Sequence, residues 1–206
     1  MTRIYFTRHG QTFWNVERRM QGQSNSDLTP LGVKQAIALG QRLKDTELDV
    51  IYSSSLSRSM RTAELIRGKR KLDIIPEDDF REIDLGEWQG KLMSEVEKQE
   101  PEMVDNFWNH PELFIRPNAE TYLQLRERAG KKLEEIVAAN KGKKILIVTH
   151  GVVLKTLHSF FQYQPISEIA RYPKSPLSTS LNIVEKENGI WNILMWNDTS
   201  HYDLIK

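Results

Sequence analysis

Two apolar, β-branched stretches each run straight into a histidine and a glycine, and this repeated pattern constrains the fold more than any other feature. Ile4-Tyr5-Phe6 leads into Thr7-Arg8-His9-Gly10-Gln11-Thr12, and Ile145-Leu146-Ile147-Val148 leads into Thr149-His150-Gly151. Short, unbroken apolar runs suit strands buried on both faces, as in parallel sheets. If both are parallel strands of one sheet, the two histidines emerge at the same edge. That edge, outside the carboxyl ends of the strands, is where open α/β sheets place their ligands.

The rest of the chain fits such a sheet. Residues 2–7 read as a strand and 8–28 as a polar loop. Thr29-Pro30 opens a helix, with Thr as N-cap and Pro at the first helical position, and Leu31, Ala36, Leu39 and Leu43 follow at helical spacing. Val50-Ile51-Tyr52 reads as a second strand. Ser53-Ser54-Ser55 offers N-caps for a helix carrying Arg58, Arg61, Leu65 and Ile66. Residues 72–75 form a third strand, stopped by Pro76. Residues 77–118 hold Gly86, Gly90, Pro101, Pro111 and Pro117 with Trp88, Phe107 and Trp108, and read as a loop and two short helices inserted above the sheet edge. Residues 119–139 place Tyr122, Leu125, Ala129, Leu133 and Ile136 on one helical stripe. A strand at 144–149 and a helix at about 151–161 follow. Asn188-Gly189 between two alternating stretches signals a hairpin.

Strands alternating with helices imply an α/β three-layer sandwich: a mostly parallel central sheet, helices on both faces, and an antiparallel edge from the hairpin. The reading is one domain over residues 1–206, with 77–118 as a small inserted cap.

The 206 residues suffice for one sizeable core. A net charge of +1 disfavours bulk binding to nucleic acid or an anionic membrane but leaves room for a local basic pocket. Cysteine is absent, so disulfides and thiolate metal sites are excluded. No signal-like segment or uncharged run of roughly 20 residues is present. The expectation is a soluble, cytoplasmic protein, its oligomeric state open, a homodimer included.

Three loops, at 8–15, 53–58 and 149–151, would share one edge and supply Arg8, His9, Asn15, Arg58 and His150. Arginine forks match a phosphoryl dianion bidentately, and Asn and His add directed donors. Helices starting near 55 and 151 would point free backbone N–H groups at it. These loops hold no carboxylate for Mg²⁺, and the arginines would repel zinc, so no metal is expected. Gly10 and Gly151 read as points of close backbone approach at the pocket. Phe13, Trp14, Met20, Phe107 and Trp108 are candidates for an apolar rim. Arg61 reads as a structural ion-pair partner, and His110, His158 and His201 as structural.

Arg8-His9-Gly10 with Asn15, the Ser54…Arg58…Thr62-Ala63 helix start and Thr149-His150-Gly151 resemble the histidine phosphatase superfamily, also called phosphoglycerate mutase-like. Leu28-Thr29-Pro30-Leu31-Gly32 and the stretch from Glu82 to Gly90 fit its pattern too, so the resemblance spans nearly the whole chain. It implies a histidine acid phosphatase-type phosphomonoesterase acting on a small phosphorylated metabolite, closest to the broad-specificity phosphatases. His9 would attack phosphorus and become transiently phosphorylated. The residues alone leave Asp78, Asp79, Glu82 and Asp84 open as general acid; the resemblance selects Glu82. An apolar wall, from Trp88 or Phe80, would keep it protonated. The resemblance also implies phosphate or substrate contacts from Arg8, Asn15, Gln21, Gly22, Arg58, His150 and Gly151.

No cofactor is expected for a phosphatase. The first alternative, a phosphoglycerate mutase, would need 2,3-bisphosphoglycerate to prime His9. Residues 91–118 carry a single arginine, Arg116, too few for the carboxylate clamps of a mutase. The second alternative is a non-catalytic phospho-ligand binding module. Two positions depart from the family pattern. Ser59 stands where alanine is frequent, and Asn118-Ala119-Glu120-Thr121 replaces a glycine, glutamate, serine run.

Overall fold

The computed structural model describes residues 1–171 and 176–205. It contains strands β1 (Thr2–Arg8), β2 (Val50–Ser54), β3 (Ile74–Glu77), β4 (Lys144–Thr149), β5 (Leu181–Glu187) and β6 (Ile190–Asp198). Its α-helices are α1 (Phe13–Glu17), α2 (Pro30–Arg42), α3 (Ser57–Arg67), α4 (Met93–Gln99), α5 (Pro101–Asn109), α6 (Tyr122–Ala139) and α7 (Gly151–Phe161).

The six strands form one sheet in the order β3-β2-β4-β1-β5-β6. The first four are mutually parallel, and β5 and β6 add an antiparallel hairpin beside β1. Asn188 and Gly189 both have positive φ, 51° and 83°, as the tight turn of a twisted hairpin requires. The α/β sandwich expected from the sequence is therefore the fold.

Successive side chains of a strand face opposite sides of the sheet. Ile4 and Phe6 of β1 and Ile145 and Ile147 of β4 join α6 and α7 in one core layer. Tyr5, Leu146 and Val148 join α2 and α3 in the other. So α2, which follows β1, and α7, which follows β4, lie on opposite faces. Because β1 and β4 are neighbours, their loops diverge and a crevice opens between them.

Several boundaries differ from the sequence reading. Pro76 lies inside β3, at the open edge of the sheet, where its missing N–H breaks no ladder. The 8–28 loop contains α1, held by a reciprocal cap between Thr12 and Asn15. Ser53, Ser54 and Ser55 do not cap α3; Leu56 occupies that place with no side-chain bond. The serine hydroxyls are committed elsewhere: Ser53 to the Ser54 carbonyl, Ser54 to His150, and Ser55 to Asp78. Helix α6 starts at Tyr122, three residues late, where Thr121 supplies the cap. In the 77–118 segment, Phe80, Ile83, Trp88, Phe107 and Phe114 are continuous with the core layer beneath α6 and α7.

Gly10 makes the close backbone approach expected of it. Its close approach is to the backbone of Gly32. A Cβ there would lie 2.5 Å from the Gly32 carbonyl oxygen, and one on Gly32 would lie 2.1 Å from that of Gln11. The loop after β1 is thus pressed onto the first turn of α2. Gly32→Ala should cost roughly 1–3 kcal/mol of stability, as overpacking does, read as a lower urea midpoint.

Candidate active site

The crevice is a cleft of about 480 Å³, larger than a phosphate alone requires. Arg8, His9, Asn15, Gln21, Gly22, Arg58, Glu82 and Gly151 line it. Eight of the nine candidate positions read from the sequence therefore meet in one cavity. The ninth, His150, is fully buried, with its ring centroid 5.2 Å from that of His9.

His9 sits where β1 ends, its amide bonded to the Thr149 carbonyl. Its Nδ1 lies 2.8 Å from the carbonyl oxygen of Gly10. A carbonyl only accepts, so Nδ1 carries the ring proton and Nε2 keeps its lone pair. Burial, then Arg58 and Arg8, hold the imidazole well below its ordinary value and hence neutral. The Gly10 amide donates to Thr62 Oγ1 at 3.0 Å, which fixes the loop that orients the ring.

Arg58, in the first turn of α3, is 1 % exposed. Its Nη1 donates to the Ser24 carbonyl and its Nη2 to the Gly22 carbonyl, both at 2.6 Å. The same arginine therefore anchors the 22–25 loop, whose Gly22 lines the cleft. Its Nε and that of Arg8 are buried without a protein partner among the described residues. Burial lowers both guanidinium groups, Arg58 to about 10, so Arg58 remains cationic at neutral pH.

Gly22 has φ +51°, and a Cβ on it would meet Gln89; the turn demands glycine. Gln21 Oε1 is buried and unpaired among the described residues. Asn15 lines the cleft, but its Oδ1 is engaged by the Thr12 amide and hydroxyl, each at 3.0 Å. That leaves the amide N–H₂ as its ligand-facing group.

Glu82 comes from the loop after β3. Its carboxylate accepts the backbone N–H groups of Val152 and Val153, both at 3.2 Å, at the start of α7. Burial pushes the carboxyl up; the Val152 amide, Arg58 and Arg8 oppose it without cancelling it. Ile83, Leu85, Phe107 and Val152 share the cleft with it. Of the two residues expected as its wall, Trp88 or Phe80, Trp88 is turned toward Phe107, Phe114 and Glu100.

The apolar rim includes Trp14, Met20, Phe107 and Trp108, joined by Met93, while Phe13 lies outside it, exposed. Sequence reasoning also missed Arg128. Its guanidinium bonds the carbonyls of Asp79 (2.6 Å) and Glu82 (3.1 Å) and pairs with Glu120, whose carboxylate also accepts the Asp84 amide. This brace spans 49 residues of sequence and had no local signal. Arg61 pairs with Glu64 at 2.9 Å on the surface. Among the described residues, no group of three or more His, Asp or Glu is placed to hold a metal, and no helix is long and apolar enough to cross a membrane.

The profile of the histidine phosphatase superfamily, branch 1, matches residues 4–199. The chain belongs to this superfamily. Phosphoglycerate mutase-like protein 4 of Arabidopsis thaliana is 35% identical over 97% of this chain and 86% of its own. The metal-independent phosphoserine phosphatase of the same plant is 36% identical over 98% and 83%. The structure of Bacillus stearothermophilus YhfR superposes with a TM-score of 0.94 at 41% identity, covering 98% of this chain and 99% of that one. A phosphohistidine mechanism is general to the superfamily.

Proposed function

We propose that this protein is a metal-independent phosphatase that hydrolyses small-molecule phosphate monoesters through a phosphohistidine on His9. The carrying observation is the Gly10 carbonyl on His9 Nδ1, which leaves a neutral ring with its Nε2 lone pair free beside two arginines. In this reading Arg8, Arg58, His150, Asn15 and Gln21 hold the phosphoryl oxygens. The His9 lone pair attacks phosphorus in line while Glu82, whose carboxyl burial raises, gives its proton to the departing alkoxide. Glu82, now a carboxylate, takes a proton from the water that attacks the phosphohistidine, releasing inorganic phosphate and restoring both groups. The apolar rim suits esters with an apolar or aromatic group.

Arg116 separates this reading from the mutase. It is locked onto Glu100 at 2.7 Å and stacked 4.3 Å over Trp88, so it is not available to clamp a glycerate carboxylate. A non-catalytic binding module would not need a carboxyl raised by burial in the same cleft as His9. We place the enzyme in the cytoplasm.

Release of phosphate from p-nitrophenyl phosphate, measured beside interconversion of 2- and 3-phosphoglycerate, tests the assignment. The expected result is hydrolysis without isomerisation. The reverse outcome would make the protein a mutase, and inertness in both assays a binding module. Excess chelator should leave the hydrolysis rate unchanged; a rate restored only by added Mg²⁺ or Zn²⁺ would contradict the metal-free mechanism.

A further inference from the structure

We propose that Ser59, with Ser54, is a positioning residue for His150: the two hydroxyls donate to Nε2 and hold the ring in its Nδ1–H tautomer, presenting a proton donor to the phosphoryl group. This rests on the phosphate-holding role proposed above for His150.

His150 Nε2 lies 2.7 Å from Ser54 Oγ and 3.3 Å from Ser59 Oγ. All three side chains are fully buried. Nδ1 has no partner among the described residues. Burial and the neighbouring arginines keep the ring neutral, so it carries one N–H and one lone pair.

Two assignments are open. With the proton on Nε2, that nitrogen donates to a serine, and neither hydroxyl hydrogen has an acceptor among the bonds described. The bare Nδ1 lone pair would then meet a dianion whose oxygens only accept. With the proton on Nδ1, Nε2 accepts from the hydroxyls and the free N–H matches the ligand. Buried polar groups are rarely left unpaired, so the second assignment holds. Ser54 Oγ remains able to accept the Leu56 amide at 3.4 Å.

The same buried face of α3 serves both histidines. Thr62 holds the Gly10 amide and so steadies the carbonyl that orients His9. Ser59, one turn earlier, addresses His150. Alanine is the best helix former, so Ser59→Ala removes the hydroxyl without disturbing the backbone of α3.

The test is the ring-nitrogen spectrum of ¹⁵N-labelled free protein, by long-range ¹H–¹⁵N correlation, with His150 assigned against His150→Gln. The wild type should show a protonated Nδ1 and a bare Nε2. Ser59→Ala should lower kcat/KM by about 2–10-fold, the worth of one buried hydrogen bond. The Ser54→Ala/Ser59→Ala double variant should populate the Nε2–H tautomer and bind orthovanadate roughly 10- to 100-fold more weakly. A wild-type Nε2–H tautomer would overturn the inference. So would a double variant that keeps both the wild-type tautomer and the wild-type vanadate affinity. The tautomer is read without turnover, so its result stands apart from whether any ester is hydrolysed.

Discussion

His9→Ala lowers kcat/KM for p-nitrophenyl phosphate by roughly 10⁴–10⁶-fold, as loss of a covalent nucleophile does, while the protein stays folded. The size follows from the route. Without Nε2 no phosphohistidine forms, and water alone must attack an ester whose charge the arginines still neutralise. The fold survives because the ring's described hydrogen bond is the single one to Gly10. Its backbone amide, bonded to Thr149, is untouched by the substitution. Circular dichroism checks the second half of the statement. Wild-type enzyme quenched in alkali should retain a base-stable, acid-labile phosphate that the variant lacks. Activity within tenfold of wild type would remove His9 from the role.

Glu82→Gln separates substrates by leaving group. Alkyl phosphates, whose alkoxide needs a proton as it departs, should slow by about 10²–10⁴-fold, the usual worth of general acid catalysis. p-Nitrophenyl phosphate, with its stable phenolate, should slow far less in the phosphorylation step. An equal loss on both would count against the acid role. The pH profile has a definite sign. Burial raises the carboxyl above its ordinary value; the acid is present below that raised value and is lost as pH climbs through it. The wild-type rate on alkyl phosphates should therefore fall on the alkaline side, and the variant should lack that limb. On the acid side His9 must be neutral, and its value is held well below 6.5. The rate should accordingly persist to pH values where a free imidazole would already be protonated.

Much of this site is legible in the amino-acid sequence, because strand ends carry their own signal. A buried apolar run followed by Arg-His-Gly or Thr-His-Gly fixes where the strand stops, and parallel register brings both ends to one edge. The pairing of Arg8 with Thr149 across β1 and β4 realises that register. Roles that depend on hydrogen-bond partners far along the chain are not legible there. Arg128 bracing the acid loop and Arg58 gripping the Gly22 carbonyl each need contacts 36 or more residues distant. Ser54 shows why propensity misleads there. A serine after a strand is a good N-cap in isolation, but a buried imidazole 2.7 Å away takes its hydroxyl instead.

The sequence by itself determined the layers and the edge at which the candidate site residues gather, since hydrophobic periodicity and strand-end motifs are local. Only the tertiary structure decided the protonation of those residues. Whether His9 keeps a lone pair, whether Glu82 keeps a proton, and which nitrogen of His150 faces the ligand depend on burial and on partners that folding brings together. Two histidines that look equivalent as strand ends become different reagents because one ring is anchored through Nδ1 on a carbonyl and the other through Nε2 on two hydroxyls.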